Sequence, residues 1–205
     1  MHIAISGNIG SGKTTLASKL AAHYGWQIEF ESVEENPYLS DFYGDMPKWA
    51  FHLQVYFLHS RFNQVKRIQE NANSTIQDRT IYEDSHIFAT NLYESNLINK
   101  RDYENYRMLY HSMVDYINPP DLLIFLKAGI PKLVDQIEKR GREYERSIQI
   151  AYLKNLNNLY EDWISGYKLG KLLIIDVDDM DFVHNPDDFS TIVGKIDREI
   201  FGLFN

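Results

Sequence analysis

The chain has 205 residues, a formal net charge of −8, 44% hydrophobic and 24% charged residues, and no cysteine. That length suits one sizeable α/β domain rather than two, and the acidic balance argues against a nucleic-acid duplex or an anionic membrane as partner. Without cysteine there is no disulfide, thiolate zinc site or cysteine nucleophile, and no apolar run reaches bilayer-spanning length.

The first element is strand-like, "HIAIS" (2–6), with no basic and apolar leader ahead of it, so the expected location is cytoplasmic. It runs into "GNIGSGKTT" (7–15), where Gly7, Gly12, Lys13 and Thr14 fit G-x-x-x-x-G-K-[ST]. Between a strand and a helix, this spacing makes a phosphate cradle in which backbone N–H groups meet anionic oxygens. Lys13 then reaches the β- and γ-phosphates, and the Thr14 hydroxyl ligates Mg²⁺. The loop residues Asn8, Ile9, Gly10, Ser11 and Thr15 belong to the same cradle.

The second strand, "WQIEFE" (26–31), closes on Glu31. In parallel α/β sheets the ligand crevice lies beyond the carboxyl ends of the strands, where a carboxylate can take a proton from an attacking hydroxyl. From Pro47 to about Ala72 the spacing of Trp49, Leu53, Tyr56, Phe57, Val65 and Ile68 predicts one long helix. Gln54 and Arg61, two turns apart, lie on one face of it, beside the apolar stripe. The third strand, "STIQD" (74–78), ends at Asp78-Arg79. There the arginine can neutralise a transferring phosphoryl group, and the aspartate can support the metal. Asp84 follows at the start of a helical block predicted from Ile81 to Ile117, ended by Asn118-Pro119-Pro120.

"DLLIFLK" (121–127) and "KLLIID" (171–176) complete five strands, and their continuous apolar runs predict a parallel sheet covered on both faces. Between them, "EKRGREYERS" has charge, one glycine and no apolar core residue, which predicts an exposed, mobile loop. Its Arg140, Arg142 and Arg146 form a basic cluster in an acidic chain, a lid of about 139–147 that closes over phosphate. The acidic "DVDDMDF" (176–182) lacks the glycine and terminal glutamate of a calcium loop. The expected organisation is a single domain, 1–205, with that lid.

In this order, "GNIGSGKTT", "ESVEENPYL", "FHLQVYFLHSR", "DRTIYED", "KRGREYE" and "DVDDMDF" resemble the deoxyribonucleoside kinase family, bacterial deoxyadenosine kinases most of all. The resemblance covers His2 to about Phe182. It implies a P-loop kinase with a five-stranded parallel sheet, a usually dimeric assembly, and ATP with Mg²⁺ acting on a deoxynucleoside. By that resemblance Glu31 is the general base for the sugar 5′-hydroxyl, with Asp78, near the Mg²⁺, as its rival. Tyr43 and Glu145 hold the 3′-hydroxyl, the tyrosine also disfavouring a ribose, and Gln54, Arg61 and Asp84 read the base. Arg79 bridges the 5′-oxygen region and the phosphates, Arg140 and Arg142 are lid residues on ATP, and the loop with Asp178, Asp179 and Phe182 frames the donor adenine. Two positions depart from the family: Ser32 stands where proline often follows the base, and Gln136 where many relatives carry a further lid arginine.

An ionised aspartate only accepts hydrogen bonds, so Asp84 favours a base with an exocyclic amino group. Arg61 holds it ionised, and Gln54 offers the donor and acceptor that adenine needs. The expected order is deoxyadenosine, then deoxyguanosine or deoxycytidine, with thymidine poor. Two other functions compete. A thymidylate kinase-type enzyme has an anionic acceptor that Glu31 would repel. A non-catalytic ATP-binding sensor has no use for Glu31, Gln54, Arg61 and Asp84 together.

Overall fold

The computed structural model describes residues 1–30 and 36–202. Five strands, β1 (His2–Gly7), β2 (Gln27–Glu29), β3 (Thr75–Asp78), β4 (Leu122–Lys127) and β5 (Lys171–Asp176), form one parallel sheet in the order β2-β3-β1-β4-β5. Alternation along the central strands feeds two cores. Ile3 and Ile5 of β1, with Leu122, Ile124 and Leu126 of β4, pack under α1 (Lys13–Tyr24) and α9 (Pro186–Phe201). Ala4, Leu123 and Phe125 face the other way, onto Leu156, Tyr160 and Ile164 of α8 (Ile150–Ser165). The register Ile5↔Asp78 and Gly7↔Leu126 sets the ends of β1, β3 and β4 side by side, so the loops leaving them share one edge.

After the short α2 (Leu39–Gly44), α3 runs over Met46–Glu70, close to the expected long helix, with Asp45 accepting from the Lys48 N–H as its cap and Pro47 in its first turn. The block expected from Ile81 to Ile117 is broken. It comprises α4 (Ile81–Glu83), a π-helical segment (Asp84–Ala89) and α5 (Thr90–Glu94), then a turn, then α6 (Lys100–Val114). Asn96 takes the left-handed conformation with φ 56°, and Asn99 accepts from the Asp102 N–H to cap α6. Asparagine does both at little cost, so the chain turns here without glycine or proline.

"EKRGREYERS" is also more ordered than its composition predicts. Helix α7 (Ile130–Arg140) ends at Gly141, and residues Glu143–Ser147 form a 3₁₀ turn. Glu145 is buried because Arg140 and Arg142, both ahead of it in the chain, satisfy its carboxylate, and Tyr144 beside it stacks on Tyr43. Among the described residues, no helix is long and apolar enough to cross a membrane.

Candidate active site

The cradle is built by glycines that a side chain would spoil. Gly10 and Gly12 have φ of 86° and 90°, where L side chains are strained. A Cβ on Gly10 would stand 2.7 Å from the Leu133 carbonyl oxygen, and one on Gly12 2.8 Å from Cζ of Phe182. The loop is braced internally. Asn8 donates to the Leu153 carbonyl at 3.0 Å, its own side-chain oxygen accepts from the Ile9 N–H at 2.7 Å, and Lys13 Nζ donates to the Asn8 carbonyl at 2.8 Å. Ser11 is buried, whereas Thr14 and Thr15 face outward at the start of α1.

The end of β3 meets this loop. The buried Asp78 accepts from the Thr14 hydroxyl, which places two oxygen donors at the mouth of the cradle. A hard divalent cation takes oxygen ligands and is usually held by one or two carboxylates together with phosphate, so the pair fits Mg²⁺. Arg79 has φ 69°, and its guanidinium lies 4.4 Å from the Phe88 ring centroid. A positive φ at a bulky residue is strained and is kept where the surroundings fix it, as at functional sites.

These groups open into one cavity of about 540 Å³ that also reaches Tyr43, Gln54, Asp84, Arg140 and Glu145. Asp84 and Arg61 form a buried pair, Arg61 Nε to Asp84 Oδ2 at 3.2 Å. Arg61 Nη1 also donates to the Asp78 carbonyl at 3.1 Å, tying this pair to the Asp-Arg turn. Gln54 Oε1 is buried with no hydrogen-bond partner among the described residues. An orphaned buried acceptor costs stability unless a ligand satisfies it. Burial pushes the hydroxyl of Tyr152, another wall residue, up to about 12.

The segment expected to be a lid lines the same cavity through Arg140, Arg142, Tyr144 and Glu145. Arg140 makes two bonds to Glu145, Nε–Oε2 at 3.1 Å and Nη2–Oε1 at 2.6 Å, and Arg142 Nη1 lies 3.6 Å from Oε1. Tyr144 stacks on Tyr43 at 5.6 Å between centroids. The cavity thus brings together Lys13, Thr14, Tyr43, Gln54, Asp78, Arg79, Asp84, Arg140, Arg142 and Glu145, with Arg61 directly behind Asp84. Asp178, Asp179 and Phe182 do not line it. Asp178 accepts from the Gly129 N–H at 2.7 Å, Asp179 is exposed, and Phe182 is buried under Gly12. Glu31 and Ser32 lie outside the described residues, as does the Arg146 side chain; Phe30, just before Glu31, lines the cavity.

Sequence reasoning missed three buried supports. Glu83, with no exposed surface, accepts from the Thr80 N–H at 2.8 Å and from the Gly7 N–H at 3.3 Å. Thr80-x-x-Glu83 is a capping-box spacing, so this one had a readable signal. Gln64 accepts from Gln77 Nε2 at 2.9 Å and Arg61 Nη1 at 3.3 Å, and donates to the Phe30 carbonyl at 2.9 Å. Tyr160, on α8, donates to Glu83 at 2.8 Å, a contact 77 residues away in sequence that no local pattern announces.

A family model for deoxynucleoside kinases matches residues 3–201. The deoxyadenosine/deoxycytidine kinase of Bacillus subtilis (strain 168) is 38% identical, over 95% of this chain and 90% of that protein. The deoxyadenosine kinase of Dictyostelium discoideum is 45% identical, over 80% of this chain and 66% of that protein. Among solved structures, the deoxyadenosine kinase from M. mycoides, with products dCMP and a flexible dCDP bound, superposes with a TM-score of 0.86. It is 31% identical and the match covers 96% of this chain and 99% of that one. These matches set aside both the thymidylate kinase-type enzyme and the sensor: the chain is an enzyme of the deoxynucleoside kinase family.

Proposed function

We propose that the enzyme moves the γ-phosphoryl group of ATP to the 5′-hydroxyl of a deoxyribonucleoside, with deoxyadenosine first, deoxyguanosine or deoxycytidine next and thymidine poor. The observation that carries the reading is the buried Asp84–Arg61 pair at the wall of the cavity into which the phosphate cradle opens. The volume, about 540 Å³, lies in the usual range for a small-molecule site. Asp84 accepts from an exocyclic amino group, and Gln54 Oε1 is an acceptor in want of a donor. The deoxyadenosine kinases among the relatives, and the dCMP bound to the M. mycoides enzyme, support amino-bearing bases.

In this reading Glu31 takes the 5′-hydroxyl proton as the sugar oxygen bonds to the γ-phosphorus and the bond to ADP breaks. Its neighbour Phe30 at the cavity wall supports the assignment. Tyr43 and Glu145 hold the 3′-hydroxyl. Arg79 and Lys13 stabilise charge on the transferring group. The N–H groups of the loop from Gly7 to Thr15 hold the donor phosphates, and Arg140 and Arg142 close on them. The segment from Asp178 to Phe182, which ends against Gly12, frames the donor adenine. Thr14 and Asp78 would hold Mg²⁺, which supplies charge neutralisation between the phosphates when bound. Exposed Met108 and Leu109 on α6, with Tyr116 beyond it, support a homodimer, and cytoplasmic salvage of nucleosides is the matching setting.

The test removes the charged pair together, as Arg61→Met with Asp84→Ala, so that neither charge is left buried without the other. We expect the double variant to lose its preference for amino-bearing bases and gain thymidine, read as kcat/KM for four deoxynucleosides. An unchanged ranking overturns the assignment of the pocket.

A further inference from the structure

Arg79 is held by a relay of buried groups that begins at the phosphate cradle. Its Nη1 donates to the Tyr160 hydroxyl at 3.0 Å, and that hydroxyl donates to Glu83 Oε1 at 2.8 Å. The same carboxylate oxygen accepts from the Gly7 N–H at 3.3 Å, while Oε2 accepts from the Thr80 N–H at 2.8 Å and the Thr80 hydroxyl at 3.0 Å. Arg79 Nη1 also stands 3.9 Å from Glu83 Oε1 as an ion pair. Glu83 has no exposed surface, Tyr160 is 1% exposed and Arg79 4%. Tyr160 cannot shift freely, because its ring stacks on Phe125 of β4 at 5.6 Å in the core between sheet and α8.

We infer that Glu83 and Tyr160 are positioning residues for phosphoryl transfer, setting the Arg79 guanidinium against the phosphate cradle. The chemistry gives each a distinct part. Glu83 accepts a hydrogen bond from Gly7 at the cradle and one from Thr80 just after Arg79, so one carboxylate spans both sides of the reacting centre. The Tyr160 hydroxyl both accepts from Arg79 and donates to Glu83, a role that neither phenylalanine nor a pure donor can fill. An arginine in the left-handed region, at the end of a strand, needs such fixing to hold one direction. Electrostatic stabilisation works only when the donor is already aimed at the developing charge, and a misplacement of about 1 Å can cost on the order of 10²-fold. The inference rests on the proposed role of Arg79.

Tyr160→Phe keeps the stacked ring and removes only the hydroxyl. We expect kcat to fall on the order of 10- to 10²-fold, with KM for deoxyadenosine unchanged, since none of the relay residues belongs to the base pocket. The discriminating measurement is a double-mutant cycle with Arg79→Ala. If Tyr160 acts through Arg79, Tyr160→Phe has no further effect on kcat once Arg79 is alanine. A purely structural residue would lower kcat by the same factor in both backgrounds, and that result overturns the inference, as does wild-type kcat in Tyr160→Phe. Glu83→Gln reads the relay from its other end, with the same split and the same dependence on Arg79, should Tyr160→Phe fail to fold. Wild-type turnover in Arg79→Ala alone would instead refute the catalytic role of Arg79, a separate failure from that of the relay.

Discussion

Asp78 and Glu31 are the two carboxylates proposed to take the sugar proton, and the surroundings of Asp78 weigh between them. Asp78 is buried and already accepts the Thr14 hydroxyl, which suits a metal-supporting oxygen better than a free proton acceptor. We therefore propose Glu31 for the proton from the sugar. Glu31→Gln keeps the shape and removes the acceptor, and a positioned general base contributes roughly 10²–10⁴-fold. We expect kcat to drop by that order with nucleoside binding kept; wild-type-like turnover would move the role to Asp78. At this scale the sequence was most legible for placement where one residue type has few uses: Gly10, Lys13, Asp78-Arg79 and Asp84 all meet in the cavity. It was least legible for Gln64 and Tyr160, whose polar groups touch no ligand in this account and whose partners lie far off in the chain.

β4 was readable because a buried parallel strand is an unbroken apolar run, and the long α3 because its stripe holds from Trp49 to Ile68. β5, expected to be covered on both faces, is an edge strand with Ile174 exposed. The π-helical segment from Asp84 to Ala89 was not readable, since nothing in residue type separates it from an α-helix. It turns Asp84 and Phe88 toward the cavity and carries His86 to the far side, stacked on Trp163 at 6.3 Å and 3.4 Å from the Tyr110 hydroxyl. Burial first, then the charges of Arg107 and His111, push the His86 imidazole down to about 4. Unfolded, it titrates near 6.5. The unfolded chain therefore binds more protons between those values, and stability present above pH 6.5 is lost as pH falls toward 4. His86→Phe keeps a ring against Trp163 and removes this proton uptake. We expect a shallower decline of Tm between pH 6.5 and 4 than in the wild type. A remaining slope is expected because His2, lowered mainly by burial, acts in the same direction; an undiminished slope would exclude His86 as a source.

Across the whole molecule, the strand order β2-β3-β1-β4-β5 gathers the phosphate loop after β1, the Phe30 exit of β2 and the Asp-Arg turn of β3 at one edge of the sheet. The segment from Arg140 to Glu145 reaches that edge from the β4 side through α7, and Arg61 of α3 grips the backbone of Asp78 from the other. The Asp84 side of the cavity and the phosphate loop are therefore neighbours, which is the basis for proposing that a charged pair at its wall selects the substrate. Steady-state kcat/KM of the wild-type enzyme with ATP and Mg²⁺ tests this most directly, across deoxyadenosine, deoxyguanosine, deoxycytidine and thymidine, with dTMP as a control acceptor. The expected result is ADP formed with the nucleosides, deoxyadenosine leading and thymidine last; a preference for thymidine, or ADP formed only with dTMP, would contradict it.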